Sequence, residues 1–349
     1  RIHARLFREH FMENSRNIIV NALVDMYAKC GHLGKAHEVF DQLKHRDVIS
    51  WTALITGHVQ HDQGEEAIRA FNHMQQEGIC PNLVTYACIL KAYGSIRDWG
   101  KGHEIHAKIV NHAYLKEHNY LGNSLLDMYA KCGLLDQMKR VFDDLKVQDV
   151  VAWTALIAGY ADCGHSEEAL DLFQTMQEKG ISPNTVTLIC VFKACTTTRT
   201  IQKAYKILPK NVNDGVLKMN YTVRNTLVDM YAKCGMLEKA QEVFDWLPAH
   251  DNSAWNALIA GYAQLGEVEN VIRTYDGLLS KGVRPNSITF VILLTACSHL
   301  GLVNNSEVYY EWMIKEYGLA PRFEHHNCMI DVLGRTGQLE KATTLIKRM

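Results

Sequence analysis

The chain contains a long internal repeat, which constrains the fold more than any other feature. The residues NALVDMYAKCG at 21–31 return as NSLLDMYAKCG at 123–133 and as NTLVDMYAKCG at 225–235, and a weaker copy occupies 327–337. Each copy begins 102 residues after the previous one. Because no insertion or deletion interrupts this spacing, the period reflects a repeated structural unit.

Each 102-residue period divides into three helical hairpins, which in the first full period are 17–47, 48–82 and 83–118. A second motif, WTALI, starts at Trp51 and returns 102 residues later, and it returns as WNALI 204 residues later. Apolar residues with helical spacing follow it, and Gly64 lies between the two stripes of its hairpin as a tight turn. No segment alternates with period two, so the sequence predicts an all-α solenoid in which stacked hairpins share one core.

Composition limits the classes of function. The net charge is −1, from 37 Lys and Arg against 38 Asp and Glu, which counts against a strongly basic nucleic-acid binder. The 10 cysteines include no CxxC pair, so neither a disulfide framework nor a zinc site is indicated. No apolar run approaches the roughly 18 residues of a membrane span. The chain starts without Met and stops within a helical pattern, so we expect it to be truncated at both ends.

The recurring phrases NALVDMYAKCG, VFDxL, WTALIAGYA, EALxLFxxM and GIxPN resemble the plant pentatricopeptide repeat (PPR) family. The hairpin lengths of 35, 36 and 31 residues resemble its subclass of alternating P, L and S repeats. The resemblance implies a right-handed superhelical solenoid of helix-turn-helix repeats with a concave RNA-binding groove. Residues 294–302 and 326–335 resemble the phrases that close such arrays.

The resemblance implies one solenoid over 1–349 and assigns a type to every hairpin. The assignments are partial L 1–16, S 17–47, P 48–82, L 83–118, S 119–149, P 150–184, L 185–220, S 221–251, P 252–286, L 287–322 and partial S 323–349.

In this family the fifth and last residues of a repeat face the groove and contact one base, whose Watson–Crick edge is open in a single strand. A hydroxyl at the fifth position suits a purine and Asn suits a pyrimidine, while Asp and Asn at the last position differ in donor capacity. The resemblance implies U for Asn21/Asp47, Asn123/Asp149 and Asn225/Asp251, A for Thr52/Asn82 and Thr154/Asn184, and C or U for Asn256/Asn286.

The L repeats receive no base, because their fifth residues have no hydrogen-bonding side chain; their pairs are Ala87/His118, Ile189/Asn220 and Val291/Arg322. Asn327 adds a fifth residue in the last S repeat. With the first repeat at the RNA 5′ side, the implied footprint is 5′-U-A-n-U-A-n-U-Y-n-3′. Ordinary helix capping by the same Asn and Asp residues is the alternative explanation.

Two further sets complete the expected site. The second residue of a repeat stacks on bases in the family, and packing between repeats is the alternative; these residues are Ile18, Ile49, Val84, Tyr120, Val151, Val186 and Ile288. Thr222, Ser253 and Glu324 depart from this apolar pattern. Basic residues eight positions after the S-repeat Asn are candidates for phosphate contact, with ordinary solvated side chains as the alternative; they are Lys29, Lys131, Lys233 and Arg335.

The sequence predicts no catalytic site, metal or cofactor. His165-Ser166-Glu167 matches the first half of the zinc nucleobase deaminase motif, but no P-C-x-x-C follows it. Cys30, Cys132 and Cys234 recur once per period, too far apart to share a metal.

The resemblance implies a site-recognition factor for organellar C-to-U RNA editing that binds single-stranded RNA. Editing-complex proteins or a deaminase domain acting in trans are the other expected partners, with no membrane and no small-molecule substrate. The expected compartment is the mitochondrion, with the chloroplast as alternative, and we expect the transit peptide to be absent from this chain. An organellar splicing or stability factor and a protein-binding scaffold like the tetratricopeptide repeats are the alternatives.

Overall fold

The computed structural model describes residues 13–43, 45–111, 119–198, 221–247 and 250–348, and these residues form helices and no strands. The all-α helical-repeat fold predicted from the sequence is confirmed for this part of the chain. The helices are grouped in two units, residues 1–183 and residues 184–349. The predicted partial repeat at 1–16 lies mostly outside the described residues, as do His118 and Asn220.

The described residues of the first unit form five helical hairpins. Their helices are α1 Glu13–Lys29, α2 Leu33–Asp41, α3 Val48–Gln60, α4 Gly64–Gln76, α5 Leu83–Ile96, α6 Trp99–Asn111, α7 Asn119–Lys131, α8 Leu135–Asp144, α9 Val150–Asp162 and α10 Ser166–Glu178.

The second unit repeats the plan. Its described helices are α11 Thr185–Thr198, α12 Tyr221–Lys233, α13 Leu237–Asp245, α14 Asn252–Gln264, α15 Val268–Ser280, α16 Ser287–Leu300, α17 Val303–Lys315, α18 Phe323–Arg335 and α19 Leu339–Arg348. From α3 onward, each first helix of a hairpin begins at the first residue of a repeat assigned from the sequence.

Within each unit the first helices of successive hairpins pack side by side in chain order. In the first unit these are α1, α3, α5, α7 and α9, and in the second they are α11, α12, α14, α16 and α18. Most of the described second helices also pack against the first helix of the hairpin that follows, and so form a second layer. This arrangement aligns the amino-terminal ends of neighbouring first helices.

Buried aromatic pairs join one hairpin to the next. Trp153 on α9 is almost fully buried and meets Phe142 on α8 edge-on, with ring centroids 4.7 Å apart. The same contact recurs one period earlier and one period later, as Trp51 with Phe40 and Trp255 with Phe244. Such pairs contribute about 0.5–1.5 kcal/mol beyond the burial of their area.

A glycine lets neighbouring first helices approach closely at the same place in each period. A Cβ on Gly159 would lie 2.9 Å from the Cβ of Ala130 and 2.7 Å from Met138 Cε. Gly57 faces Ala28 and Gly261 faces Ala232 in the same way. The turns also depend on glycine: Gly133 ends α7 with a φ of 72°, and the next amide bonds back to the carbonyl of Tyr129.

No helix of the described ranges is both long and apolar enough to cross a bilayer.

We predict that Gly159→Ala lowers the free energy of unfolding by about 1–3 kcal/mol, because its methyl group overpacks the contact with Ala130 and Met138. The matched control is Gly34→Ala in α2, where a Cβ would have no neighbour within 4 Å. That change is expected to stabilise by about 0.5–1 kcal/mol. Urea unfolding measures both, and equal effects would contradict this account of the packing.

Candidate nucleic-acid interface

The helix arrangement brings together the fifth and the last residue of a repeat. The fifth residue lies one turn into the first helix, and the last residue immediately precedes the first helix of the next hairpin. Because neighbouring first helices lie side by side, the two positions meet at their aligned amino-terminal ends. Six described last residues cap the following helix with a side-chain oxygen, namely Asp47, Asn82, Asp149, Asn184, Asp251 and Asn286.

In two S repeats the pair is joined directly. Asn21 Nδ2 donates to both carboxylate oxygens of Asp47 at 3.2 and 3.3 Å, and Asn225 Nδ2 donates to those of Asp251 at 3.2 and 3.1 Å. Asp47 Oδ1 also accepts from the amide of Ser50 at 2.8 Å. The Oδ1 atoms of Asn21 and Asn225 are buried and have no partner among the described residues. The acceptor oxygens that these repeats present are therefore those of the Asp carboxylates.

In the remaining full S repeat, 119–149, no hydrogen bond joins Asn123 to Asp149 in the described part of the chain. Asp149 accepts from the amides of Val151 and Ala152 at 3.0 and 2.9 Å. The Oδ1 of Asn123 is buried without a partner there, as it is in Asn21 and Asn225. Asn327 is exposed on α18.

In the first P repeat a third residue joins the pair. Thr52 Oγ1 lies 2.7 Å from the hydroxyl of Thr85, and that hydroxyl donates to Asn82 Oδ1 at 2.9 Å. The amide of Thr85 donates to the same oxygen at 2.9 Å. With Oδ1 taking two hydrogen bonds from Thr85, the Nδ2 of Asn82 faces outward as a donor.

The other P repeats share parts of this arrangement. Asn286 Oδ1 accepts from the amide and hydroxyl of Thr289 at 3.0 and 3.1 Å, and Asn256 Nδ2 lies 3.5 Å from it. Asn184 Oδ1 accepts from the amide and hydroxyl of Thr187 at 2.9 and 3.0 Å. Thr154 lies in the first unit, where its hydroxyl donates to the carbonyl of Val150 at 2.6 Å.

Sequence reasoning missed the Thr residues that hold the Asn side chains. The signal was present as N-x-x-T, a capping box that recurs with the 102-residue period. Its members are Asn82-Leu-Val-Thr85, Asn184-Thr-Val-Thr187 and Asn286-Ser-Ile-Thr289.

The fifth residues of the L repeats offer no polar group. Ala87 is fully buried, and Ile189 and Val291 are partly buried. Arg322, the last residue of one L repeat, is exposed. The structure therefore gives no basis for assigning a base to these repeats.

The seven apolar second residues are exposed, with 46–71% of their surface accessible. Such exposure does not fit packing between repeats. It leaves an apolar side chain in 17–47, 48–82 and 119–149, beside the fifth residues of these repeats, where a base could stack. The seven are Ile18, Ile49, Val84, Tyr120, Val151, Val186 and Ile288. The polar residues at the same position are exposed as well, namely Thr222, Ser253 and Glu324.

Every basic candidate for phosphate contact forms an ion pair with an Asp one turn earlier on its own helix. The N···O distances are 2.7 Å for Lys29–Asp25, 2.9 Å for Lys131–Asp127, 2.7 Å for Lys233–Asp229 and 3.0 Å for Arg335–Asp331. All four cations remain about half exposed. The pKa of Asp331 is lowered by a hydrogen bond from Ser298 and then by Arg335, which favours the charged pair.

A cavity of about 640 Å³ opens where α5, α7 and α9 end, and Lys131 lines it. Arg97 lines it too, as a second basic residue that sequence reasoning missed. Its backbone is left-handed, with φ of 57°, where the S repeat has Gly133. Asp127 and Asp162 also line the cavity, so its cations and carboxylates balance.

The described residues hold no group of three or more His, Cys, Asp or Glu side chains that could bind a metal ion. His165 precedes α10 and lies 3.2 Å from Glu168, one turn into that helix. This contact is a local one at a helix start.

The comparisons identify the class of protein. The PPR repeat family matches residues 46–95, 148–197 and 250–299. The PPR repeat matches 18–48, 123–150, 223–245 and 324–349. These ranges together cover more than half of the chain, and the protein belongs to the PPR repeat family.

Similar curated proteins come from Arabidopsis thaliana. The chain is 33% identical over 331 residues to the mitochondrial pentatricopeptide repeat-containing protein At1g06140, covering 95% of this chain and 59% of that protein. It is 38% identical over 333 residues to the pentatricopeptide repeat-containing protein At4g38010, with the same two coverages. The chain spans about half the length of the curated relatives it matches.

Solved PPR structures share the fold. The crystal structure of PPR10 from maize matches with a TM-score of 0.65 at 17% identity, covering 95% of this chain and 53% of that one. PPR10 in complex with an 18-nucleotide psaJ RNA element matches with a TM-score of 0.67 at 19% identity, covering 87% and 45%.

We predict that Asn82→Ala lowers the free energy of unfolding by about 1 kcal/mol, because it removes the cap of α5. Asn82→Asp keeps a capping oxygen and is expected to change stability by only a few tenths of a kcal/mol. Urea titration of both variants measures this difference. If Asn82→Asp were as destabilising as Asn82→Ala, the cap would not be the role of this oxygen.

Proposed function

We propose that this protein binds single-stranded RNA and contacts one base with each P and S repeat. The observation that carries the proposal is the recurring contact between fifth and last residues at the aligned helix starts. An exposed second residue, apolar in most repeats, accompanies these contacts and offers a stacking surface for a base. The complex of PPR10 with an RNA element supports the proposal, because that protein has the same fold.

The hydrogen bonds indicate which bases the P repeats accept. Asn82 directs Nδ2 outward as a donor, and Thr52 beside it offers oxygen lone pairs. Adenine has an amino donor beside the N1 acceptor on its Watson–Crick edge, whereas guanine has an oxygen beside N1–H. In 252–286 the Oδ1 of Asn256 is buried, and the Nδ2 of Asn286 is the donor that faces outward. Cytosine has an N3 lone pair that accepts from this donor, where uracil has N3–H. We therefore assign adenine to 48–82 and cytosine to 252–286.

The S repeats offer the opposite chemistry. The carboxylates of Asp47 and Asp251 accept only, and uracil presents N3–H where cytosine presents a lone pair. We therefore assign U to 17–47 and 221–251, and by analogy to 119–149. The full footprint is 5′-U-A-n-U-A-n-U-C-n-3′, with the L repeats unassigned.

The finer part of the proposal is site recognition for organellar C-to-U editing. It rests on the alternating repeat lengths and the closing phrases of the sequence, and the target cytidine would lie 3′ of the bound segment. Since the sequence contains no P-C-x-x-C, a separate domain or protein would supply the deaminase chemistry. The names of four relatives include "mitochondrial", which supports the mitochondrion over the chloroplast.

Binding of the purified chain to the footprint RNA and to a scrambled RNA, at a stated salt concentration, tests base recognition. Tighter binding to the footprint is expected, and equal affinity for the two RNAs would refute base recognition.

The register is tested by the double variant Thr52→Asn with Asn82→Asp, which converts this pair to the type found in S repeats.

We predict that this double variant prefers U to A at the second base of the footprint, by about tenfold, because its last residue then only accepts hydrogen bonds. Competition binding with four RNAs that differ at this base measures the preference. The preference at the first base, assigned to Asn21 and Asp47, is the internal control. A retained preference for A would refute the assigned register.

A separate prediction concerns Lys131. Lys131→Gln is expected to reduce the slope of log K against log salt by about 0.7, because one phosphate contact is lost. Lys139→Gln is the matched control, since Lys139 forms the same type of ion pair with Asp143 at 2.8 Å but lies on α8, the second helix of its hairpin. Filter binding over a range of salt concentrations measures both slopes. Equal slopes for the two variants would remove Lys131 from the phosphate path.

A further inference from the structure

The P-repeat pairs are held by a residue that belongs to the next repeat. This residue is the third of each L repeat: Thr85, Thr187 or Thr289. All three side chains are fully buried, and each donates a hydrogen bond to the Asn immediately before its helix. We propose that the third-residue Thr is a positioning residue that sets the donor and acceptor polarity of the base-contacting pair. The inference rests on the proposed function.

Proton counting around Thr85 shows how the polarity is set. A hydroxyl has one proton and two lone pairs. The proton of Thr85 goes to Asn82 Oδ1, and one lone pair accepts from the Asn82 amide at 3.3 Å. The short 2.7 Å contact with Thr52 therefore uses the second lone pair, so Thr52 is the donor in it. Because Thr52 donates its proton to Thr85, its oxygen can act only as an acceptor toward a base.

The same residue fixes the amide of Asn82. An Asn side chain has two unlike ends of similar size, and a free one can turn either end outward. The amide and hydroxyl of Thr85 both donate to Oδ1, so both favour the state in which Nδ2 faces outward. Thr85 thus determines both halves of the acceptor and donor pattern that distinguishes adenine from guanine.

The repeats that end in Asp provide an internal comparison. The third residues that follow Asp47, Asp149 and Asp251 are Ser50, Ala152 and Ala254. Ala has no hydroxyl, and Ser50 donates to the Asp47 carbonyl rather than to its carboxylate. A carboxylate has two equivalent oxygens, so no group is needed to choose which one faces outward. Thr is the third residue after each of the three Asn residues that end a P repeat, where the two ends of the Asn amide are chemically different.

The test measures discrimination between A and G at the second base of the footprint RNA. Wild type is expected to favour A by about tenfold, and Thr85→Val to reduce the ratio below about threefold, because Thr52 regains a free proton and Asn82 loses one of its two donors. Val keeps the branched shape of Thr in this buried position. Thr85→Ser keeps the hydroxyl and is expected to restore the ratio.

Ser50→Ala is the matched control, since it removes a buried third-residue hydroxyl that follows a repeat ending in Asp. It is expected to leave the preference for U at the first base unchanged. A purely structural role for Thr85 would lower affinity for A and G equally, and a ratio unchanged in Thr85→Val would overturn the inference. If wild type itself failed to discriminate, the proposed function would fail, which is a separate outcome.

Should Thr85→Val fail to fold, Thr289→Val provides the same test on C against U at the base assigned to Asn256 and Asn286. A smaller loss of discrimination is expected there. The residue in the place of Thr52 is Asn256, which donates to Asn286 rather than to the third-residue hydroxyl, so removal of that hydroxyl does not free a proton. An unchanged ratio in that variant would overturn the inference equally.

Discussion

The lateral packing of successive first helices is the interaction on which the candidate site depends. Gly159 against Ala130, repeated one period away on either side, lets the helices approach closely, and the buried Trp–Phe pairs hold each hairpin on the next. A helix pair that slid by one turn would separate Asn21 from Asp47 by about 5 Å, more than a hydrogen bond allows. The small residues of the core thus set the spacing of the polar pairs at the surface.

This packing gives the last residue of a repeat two simultaneous functions, and together they explain its narrow choice of side chains. The residue caps the next helix, for which Asp and Asn are among the best residues. It also faces a side chain of its own repeat, where Asp only accepts and Asn both donates and accepts. Capping, the alternative explanation for these residues, is therefore present in the structure and does not compete with base contact. Exchange of Asp for Asn alters the outer chemistry while leaving the helix start intact.

The sequence allowed prediction of the elements and of the residues that meet, because a period of 102 residues fixes every helix start once one is placed. It did not reveal which atoms face outward. In our proposal the polarity of Thr52 depends on the proton of Thr85, and the orientation of the Asn82 amide depends on two donors from that residue; both arguments need side-chain geometry. The pairing of Lys131 with Asp127 was visible in the sequence as an acid four residues before a base, the spacing at which helical side chains meet.

Charge balance follows from these pairs and bears on how RNA would be held. Each candidate phosphate contact brings a carboxylate with it, and the cavity beside Lys131 has as many acids as bases. Phosphate attraction, which supplies most sequence-independent affinity in nucleic-acid binders, is therefore weak on this surface. Stacking contributes about 1–3 kcal/mol per base and does not depend on net charge. Stacking tolerates every base, so discrimination between RNA sequences would have to come from the hydrogen bonds of the fifth and last residues, with little phosphate attraction added for any strand.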